Sequence, residues 1–187
     1  IKGASSDTSG RAIVRNLGLK NVNIQAADNA YMGGLAGKAE NANITDVFVS
    51  GGTIKQGYYS GGILGSAKNV TMDSVYNTAN VGSVVGAGLI SRPQGNVHVT
   101  NAYNAGIANF GYYNTASGSD NTFQFVYDDG TRSGSTSYAN GSATGLTDSV
   151  SINEDKSASY QKEAAWSGRY ISANGGENTK WRIYEGH

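Results

Sequence analysis

The sequence predicts an all-β chain, a right-handed parallel β-helix (solenoid) of about four coils with a loop-rich C-terminal cap. Three observations predict it. The string Gly33-Gly34-Leu35-Ala36-Gly37 returns as Gly61-Gly62-Ile63-Leu64-Gly65 and, worn, as Val85-Gly86-Ala87-Gly88-Leu89-Ile90, so that Gly34, Gly62 and Gly88 are 28 and 26 residues apart. Two further anchors keep that period: Leu17, Val47, Val75 and Ala102 step by 30, 28 and 27 residues, and Ile24, Ile54, Val81 and Ile107 by 30, 27 and 26. Within a copy, apolar residues alternate, as in Val22-x-Ile24, Val70-x-Met72 and Val97-x-Val99, which is the period of a strand.

A copy of this length cannot bury its own apolar face. Stacked copies can, each strand pairing with its equivalent about 4.8 Å away and the inward side chains forming aliphatic columns. The right hand is the usual one for parallel crossovers. The Gly strings read as tight corners, where small residues let the backbone turn or approach a neighbour and one aliphatic residue fills the core.

Composition narrows the function. Of 187 residues, 38% are hydrophobic and 15% charged, with 27 Gly and one Pro, a turn-rich and strand-rich profile. The formal net charge is zero and the pI about 6.9. Nucleic acid and anionic membranes call for a basic face, which this balance does not supply. The absence of Cys excludes disulfides, thiolate metal sites and cysteine nucleophiles. No apolar run is long enough to span a bilayer. No signal peptide is visible, and a chain opening mid-pattern at Ile1-Lys2-Gly3 is expected to be a monomeric segment of a longer secreted protein.

Taken in order, a polar lead-in precedes the coils, which are expected to fill residues 1–107. In the third copy Arg92-Pro93-Gln94 reads as a rigid turn. After Ile107 the repeat dissolves, and residues 108–187 read as an irregular cap. Within it, Thr122–Tyr127 is a strand, Asp128-Asp129-Gly130 a turn, residues 131–145 a loop, residues 151–166 a helix and Trp181–Tyr184 a closing strand, with Trp166 and Trp181 forming a second apolar cluster.

Certain residues also carry a family resemblance. Gly34-Leu35-Ala36-Gly37 and Gly62-Ile63-Leu64-Gly65, with Val75-Tyr76-Asn77 and Ala102-Tyr103-Asn104 between and after them, resemble GLUG motifs. Val126-Tyr127-Asp128, Gly145-Leu146-Thr147 and Trp181-Arg182-Ile183-Tyr184-Glu185-Gly186 resemble the segment that ends such repeat blocks. The usual Pro- and Leu-containing continuation is missing, and the third copy lacks its final Gly. The resemblance implies a β-helix on the outer surface of a Gram-negative bacterium, similar to filamentous haemagglutinin-like exoproteins exported by two-partner secretion. Such proteins are adhesins, haem or haemoprotein acquisition factors, or toxin carriers.

Catalytic chemistry finds little support. His98 lies between inward Val97 and Val99, so alternation turns it to solvent, and it has no sequence neighbours suited to a metal site. Asp46 and Asp73 read as near-equivalent positions in adjacent coils, the spacing of a retaining carboxylate pair, but an Asp at a strand edge ordinarily bonds the backbone. Asn43-Ile44-Thr45, Asn69-Val70-Thr71 and Asn140-Gly141-Ser142 fit the glycosylation pattern by chance in an Asn/Thr-rich chain. No cofactor, metal or catalytic residue is expected.

Aromatic residues make the better binding candidates. Tyr76 and Tyr103 are expected outside, stacked with Phe48, as a stiffening ladder or a sugar-stacking strip. Tyr58, Tyr112 and Tyr113 flank the corners, and Asp128 and Asp129 sit in the turn beyond the coils. Amphipathic aromatics on a rigid scaffold suit sugars or protein surfaces. The reading is a non-enzymatic adhesin segment that binds a host glycan or protein at Tyr58, Tyr76, Tyr103, Tyr112, Tyr113, Asp128 and Asp129, mainly in the cap. Haemoprotein capture or a spacer role are the alternatives.

Overall fold

A computed structural model describes residues 1–128 and short strand segments at 139–141, 146–147, 150–151, 171–172 and 181–182. The described strands are β1 (Ala12–Ala26), β2 (Tyr31–Gly33), β3 (Ala36–Gln56), β4 (Tyr59–Gly61), β5 (Leu64–Asn77), β6 (Asn80–Gly82), β7 (Ile90–Pro93), β8 (Val97–Asn104), β9 (Tyr113–Ala116) and β10 (Asn121–Asp128), followed by the short segments. All pairing between β1–β3, β3–β5, β5–β8 and β8–β10 is parallel. The expected parallel solenoid of about four turns is the fold observed.

The alternation seen in the sequence becomes columns. Val14, Ile44, Met72, Val99 and Phe123 are successive register partners, as are Leu17, Val47, Val75, Ala102 and Val126. From the second coil upward these side chains are at most 1% exposed. Corners within the long strands or just before a strand need left-handed backbone, and they recur in register at Asn16, Asp46, Ser74 and Asn101, and again at Asn41, Asn69, Asn96 and Asp120, with φ between 50° and 58°. Asn and Asp tolerate that conformation better than other side-chain-bearing residues, which explains the Asn-rich composition.

The Gly strings stack directly. Gly34 N–H donates to Gly62 O at 3.1 Å, Gly62 N–H to Ala87 O at 2.9 Å and Gly88 N–H to Phe110 O at 2.8 Å. Their φ values are not positive, so close approach is what requires glycine. A Cβ on Gly62 would lie 2.1 Å from Gly88 O and 2.3 Å from Asn77 Cγ. The corner also turns two consecutive residues inward, Ile63 with Leu64 and Leu89 with Ile90, all 0% exposed.

Four sequence expectations are corrected. The ladder does not end at Ile107: β8 pairs with β10 from Val97↔Asn121 to Asn104↔Asp128, because Phe110, Tyr112, Tyr113 and Phe123 take over the inward positions that aliphatics fill below. Ile107 itself is 41% exposed, and Ala108, at 1%, turns inward in its place. Arg92-Pro93-Gln94 is no turn, since Pro93 continues β7 opposite Ala67 and the chain bends at Gly95, φ 100°. Asp73 pairs with Thr45, not Asp46; Asp46 sits one position on, at the left-handed corner. The expected helix and Trp166 lie outside the described residues, apart from Ser151, which is in a short strand, while Trp181–Arg182 pairs with Ile171–Ser172.

The first coil differs from those above it. β1 has only β3 as a neighbour, and none of its residues is buried. Ile13 is 70% and Leu17 37% exposed.

Candidate functional site

Register carries side chains of one type into vertical stacks. Phe48, Tyr76 and Tyr103 are register partners, and their rings stack at 4.9 Å and 4.9 Å with interplanar angles of 3°. Phe48 also lies over Gly18, where a Cβ would come within 2.1 Å of the ring. Both faces of the Tyr76 ring are thus covered by its neighbours. Burial raises the Tyr76 phenol above its ordinary value.

A second stack forms at the Gly corner. Tyr31 and Tyr59 are paired in register and stack at 5.1 Å. Lys38 Nζ lies 4.2 Å from the Tyr31 ring centre, and the Arg92 guanidinium 5.0 Å from that of Tyr59. Arg92 Nη1 also donates to Tyr31 Oη at 2.9 Å. The pair is packed in a column with two cations, which agrees with a corner-packing role.

Beside this column stands Tyr58. At 52% exposed it is the one exposed aromatic among residues 1–124. It meets Tyr59 edge-on at 4.7 Å and 89°. Around it the corners of three successive coils form a recess of about 310 Å³ lined by Asp28, Asn29, Gly57, Tyr58, Ser83, Val84 and Val85. Hydrogen bonds stitch the loops together. Tyr58 N–H donates to Ala30 O at 3.0 Å, and Ser83 Oγ donates to Gly57 O at 2.9 Å. Asn109 Nδ2 donates to Val84 O.

The other named residues are placed differently. Tyr112 and Tyr113 are 3% and 1% exposed, because the upper corner uses them as core in the column of Ile63–Leu64 and Leu89–Ile90; they are no surface contacts, and burial raises the Tyr113 phenol. Asp128 is 0% exposed and accepts from Asn104 Nδ2 at 2.8 Å, so it belongs to an internal amide ladder rather than to the surface. Asp129 lies outside the described residues. Among the described residues the sequence candidates are therefore not brought together: Tyr76 and Tyr103 share a stack, Tyr112, Tyr113 and Asp128 are core, and Tyr58 lines the recess.

Asp28, Asn29, Ser83 and Val84 were missed by sequence reasoning. A signal existed: the lining residues fall two to five positions after Ile24, Ile54 and Val81, the same point of three copies. A smaller polar recess of about 190 Å³ is lined by Ser6, Arg11, Asn69, Asn96 and His98. There Arg11 donates to Asn69 O, while His98 Nδ1 is 2.8 Å from Thr122 Oγ1 and Nε2 is 3.5 Å from Asp120 Oδ2. Among the described residues no group of three or more His, Asp or Glu is arranged to hold a metal ion, and no helix is long and apolar enough to cross a membrane.

Fold and site together define a β-solenoid repeat protein with a recess between its corner loops. In comparison with known families, residues 28–55 match the GLUG motif, the stretch from the floor of that recess through β3. Searches of curated proteins and of solved structures returned no significant match.

Proposed function

We propose that the chain is a non-enzymatic segment of a secreted bacterial surface adhesin, and that it binds a host glycan or protein at the Tyr58 recess. The GLUG motif at residues 28–55 suggests an extracellular repeat domain. The observation that carries the reading is the contrast among aromatics: the two ladders are spent on packing, whereas Tyr58 is half-exposed in a recess that three coils hold in place.

The test is binding of the purified chain to host cells and to a glycan array, with Tyr58→Ala alongside. Binding that falls with the substitution supports the reading. Binding that is unchanged moves the contact off the recess. A folded chain that binds neither returns the role to a spacer, the reading that the closed Phe48–Tyr76–Tyr103 ladder favours.

A further inference from the structure

We propose that the Tyr58 recess is a subsite for an uncharged sugar ring; this rests on the surface-binding reading above and names its ligand class. A pyranose is amphipathic, with a face of C–H groups and a rim of hydroxyls. The recess has the complementary halves. Tyr58 offers a ring, 52% exposed, and Val84 beside it is 85% exposed; these take the C–H face. Asp28, Asn29 and Ser83 line the same recess and supply carboxylate, amide and hydroxyl groups for the rim.

Size argues for a small ligand. A volume of about 310 Å³ is near the lower end of small-ligand sites, roughly 300 Å³. A protein partner instead needs a patch of about 800 Å² on each side. Charge argues for a neutral one. Asp28 is the single charged lining residue, and its carboxylate repels uronic and sialic acids while accepting hydrogen bonds from vicinal hydroxyls.

The site is also pre-organised, which lowers the entropic cost of binding. Tyr58 is fixed edge-on against Tyr59, which is itself stacked on Tyr31 and covered by Arg92. Gly57 and Asn29 hold left-handed backbone at φ 75° and 70°, bending two of the loops around the recess. Ser83 Oγ lies within 3.4 Å of Tyr58 O as well as bonding Gly57 O.

The experiment is saturation-transfer NMR and calorimetric titration of the whole chain. The probes are galactose, glucose, mannose and N-acetylglucosamine, set against glucuronic and N-acetylneuraminic acids. At least one neutral sugar is expected to bind. Tyr58→Ala should weaken it about tenfold, the scale of one aromatic contact, while Tyr58→Trp retains it. Asp28→Asn should admit the acidic sugars. Because Tyr58 is at the surface, unchanged circular dichroism and melting serve as the folding control. Equal binding of acidic and neutral sugars to the unaltered chain would overturn the proposal, as would a neutral sugar whose affinity ignores Tyr58→Ala. Tyr58-dependent adherence to host cells with no sugar bound would also overturn it, yet leave the surface-binding reading standing. Binding of neither sugars nor cells would remove both.

Discussion

Asn77 Nδ2 donates to Asn104 Oδ1 at 2.8 Å, and both side chains are 0% exposed. Each amide also closes a local ring two residues on. Asn77 bonds Ala79 N–H and C=O at 3.0 Å and 2.9 Å, and Asn104 does the same for Gly106 at 3.2 Å and 3.0 Å. One coil lower, Val49 occupies this column, and the Gly51 N–H is served by Thr78 Oγ1 at 2.9 Å instead. The polar ladder therefore begins where the aliphatic column stops.

Breaking that ladder is expected to be costly. Asn104→Leu removes the acceptor of one Asn77 Nδ2 hydrogen, both side-chain bonds to Gly106 and the Nδ2 donor to Asp128 in the core, at about 1–3 kcal/mol for each group left unsatisfied. Chemical denaturation should show a loss of several kcal/mol; a loss under about 0.5 kcal/mol, the range of ordinary surface substitutions, would show that the ladder does not matter.

The corner glycines are expected to be intolerant for reasons of space. Gly62→Ala places a methyl 2.1 Å from Gly88 O, which is backbone and cannot swing away. A loss of about 1–3 kcal/mol or more is expected, as for other overpacked sites. Gly82→Ala is the control, since its Cβ would meet nothing closer than 4.0 Å. Thermal melting that shifts equally for both would contradict the packing account.

Alkaline pH is expected to loosen the upper coils. Burial raises the phenols of Tyr113 and Tyr76 above 10.0. A raised folded-state value means that the contribution is fully present below pH about 10 and is lost as pH rises through the folded value. Tyr113→Phe removes one of these groups and should flatten the fall in stability above pH 10, as read by denaturation midpoints. An unchanged slope would show that Tyr113 does not take part in it.

The β1 end of the solenoid and its middle are expected to differ in local stability. β1 pairs on one side only and carries no buried residue, whereas β5 is paired on both sides by β3 and by β7 and β8. Amide hydrogen exchange should therefore be faster across Ala12–Ala26 than across Val70–Asn77. Equal protection would contradict the edge assignment.

The fold was legible because one inward residue per strand per coil repeats, and Leu17, Val47, Val75 and Ala102 are register partners as their spacing implied. The same test failed where the inward residue changed type. Phe123 and Tyr113 replace aliphatics, so the period seemed to stop at Ile107 although the backbone ladder continues. The series ending in Ile107 slipped by one position: Val81 lies six residues after Val75 and Ala108 six after Ala102, but residue type favoured Ile107 over the small Ala108. Asn77 and Asn104 stand out in the sequence only as members of the Val75-Tyr76-Asn77 and Ala102-Tyr103-Asn104 strings. That a polar amide is core depends on its partners in the next coil, which no single copy reveals. The recess was harder to read for a related reason: Asp28, Tyr58 and Val84 have no chemistry in common, and only their shared offset from Ile24, Ile54 and Val81 links them in the sequence.

The central claim is one continuous in-register ladder from β1 to β10, on which the recess is built. Arg15, Thr45, Asp73, Thr100 and Gln124 are successive register partners on its outer face. Spin labels at Arg15 and Gln124, both exposed, measure it by pulsed electron resonance. Four steps of about 4.8 Å give a backbone separation of about 19 Å, so a narrow distribution near that value, broadened by the label arms, is expected. A broad distribution, or one centred beyond about twice that spacing, would contradict the ladder and the recess with it.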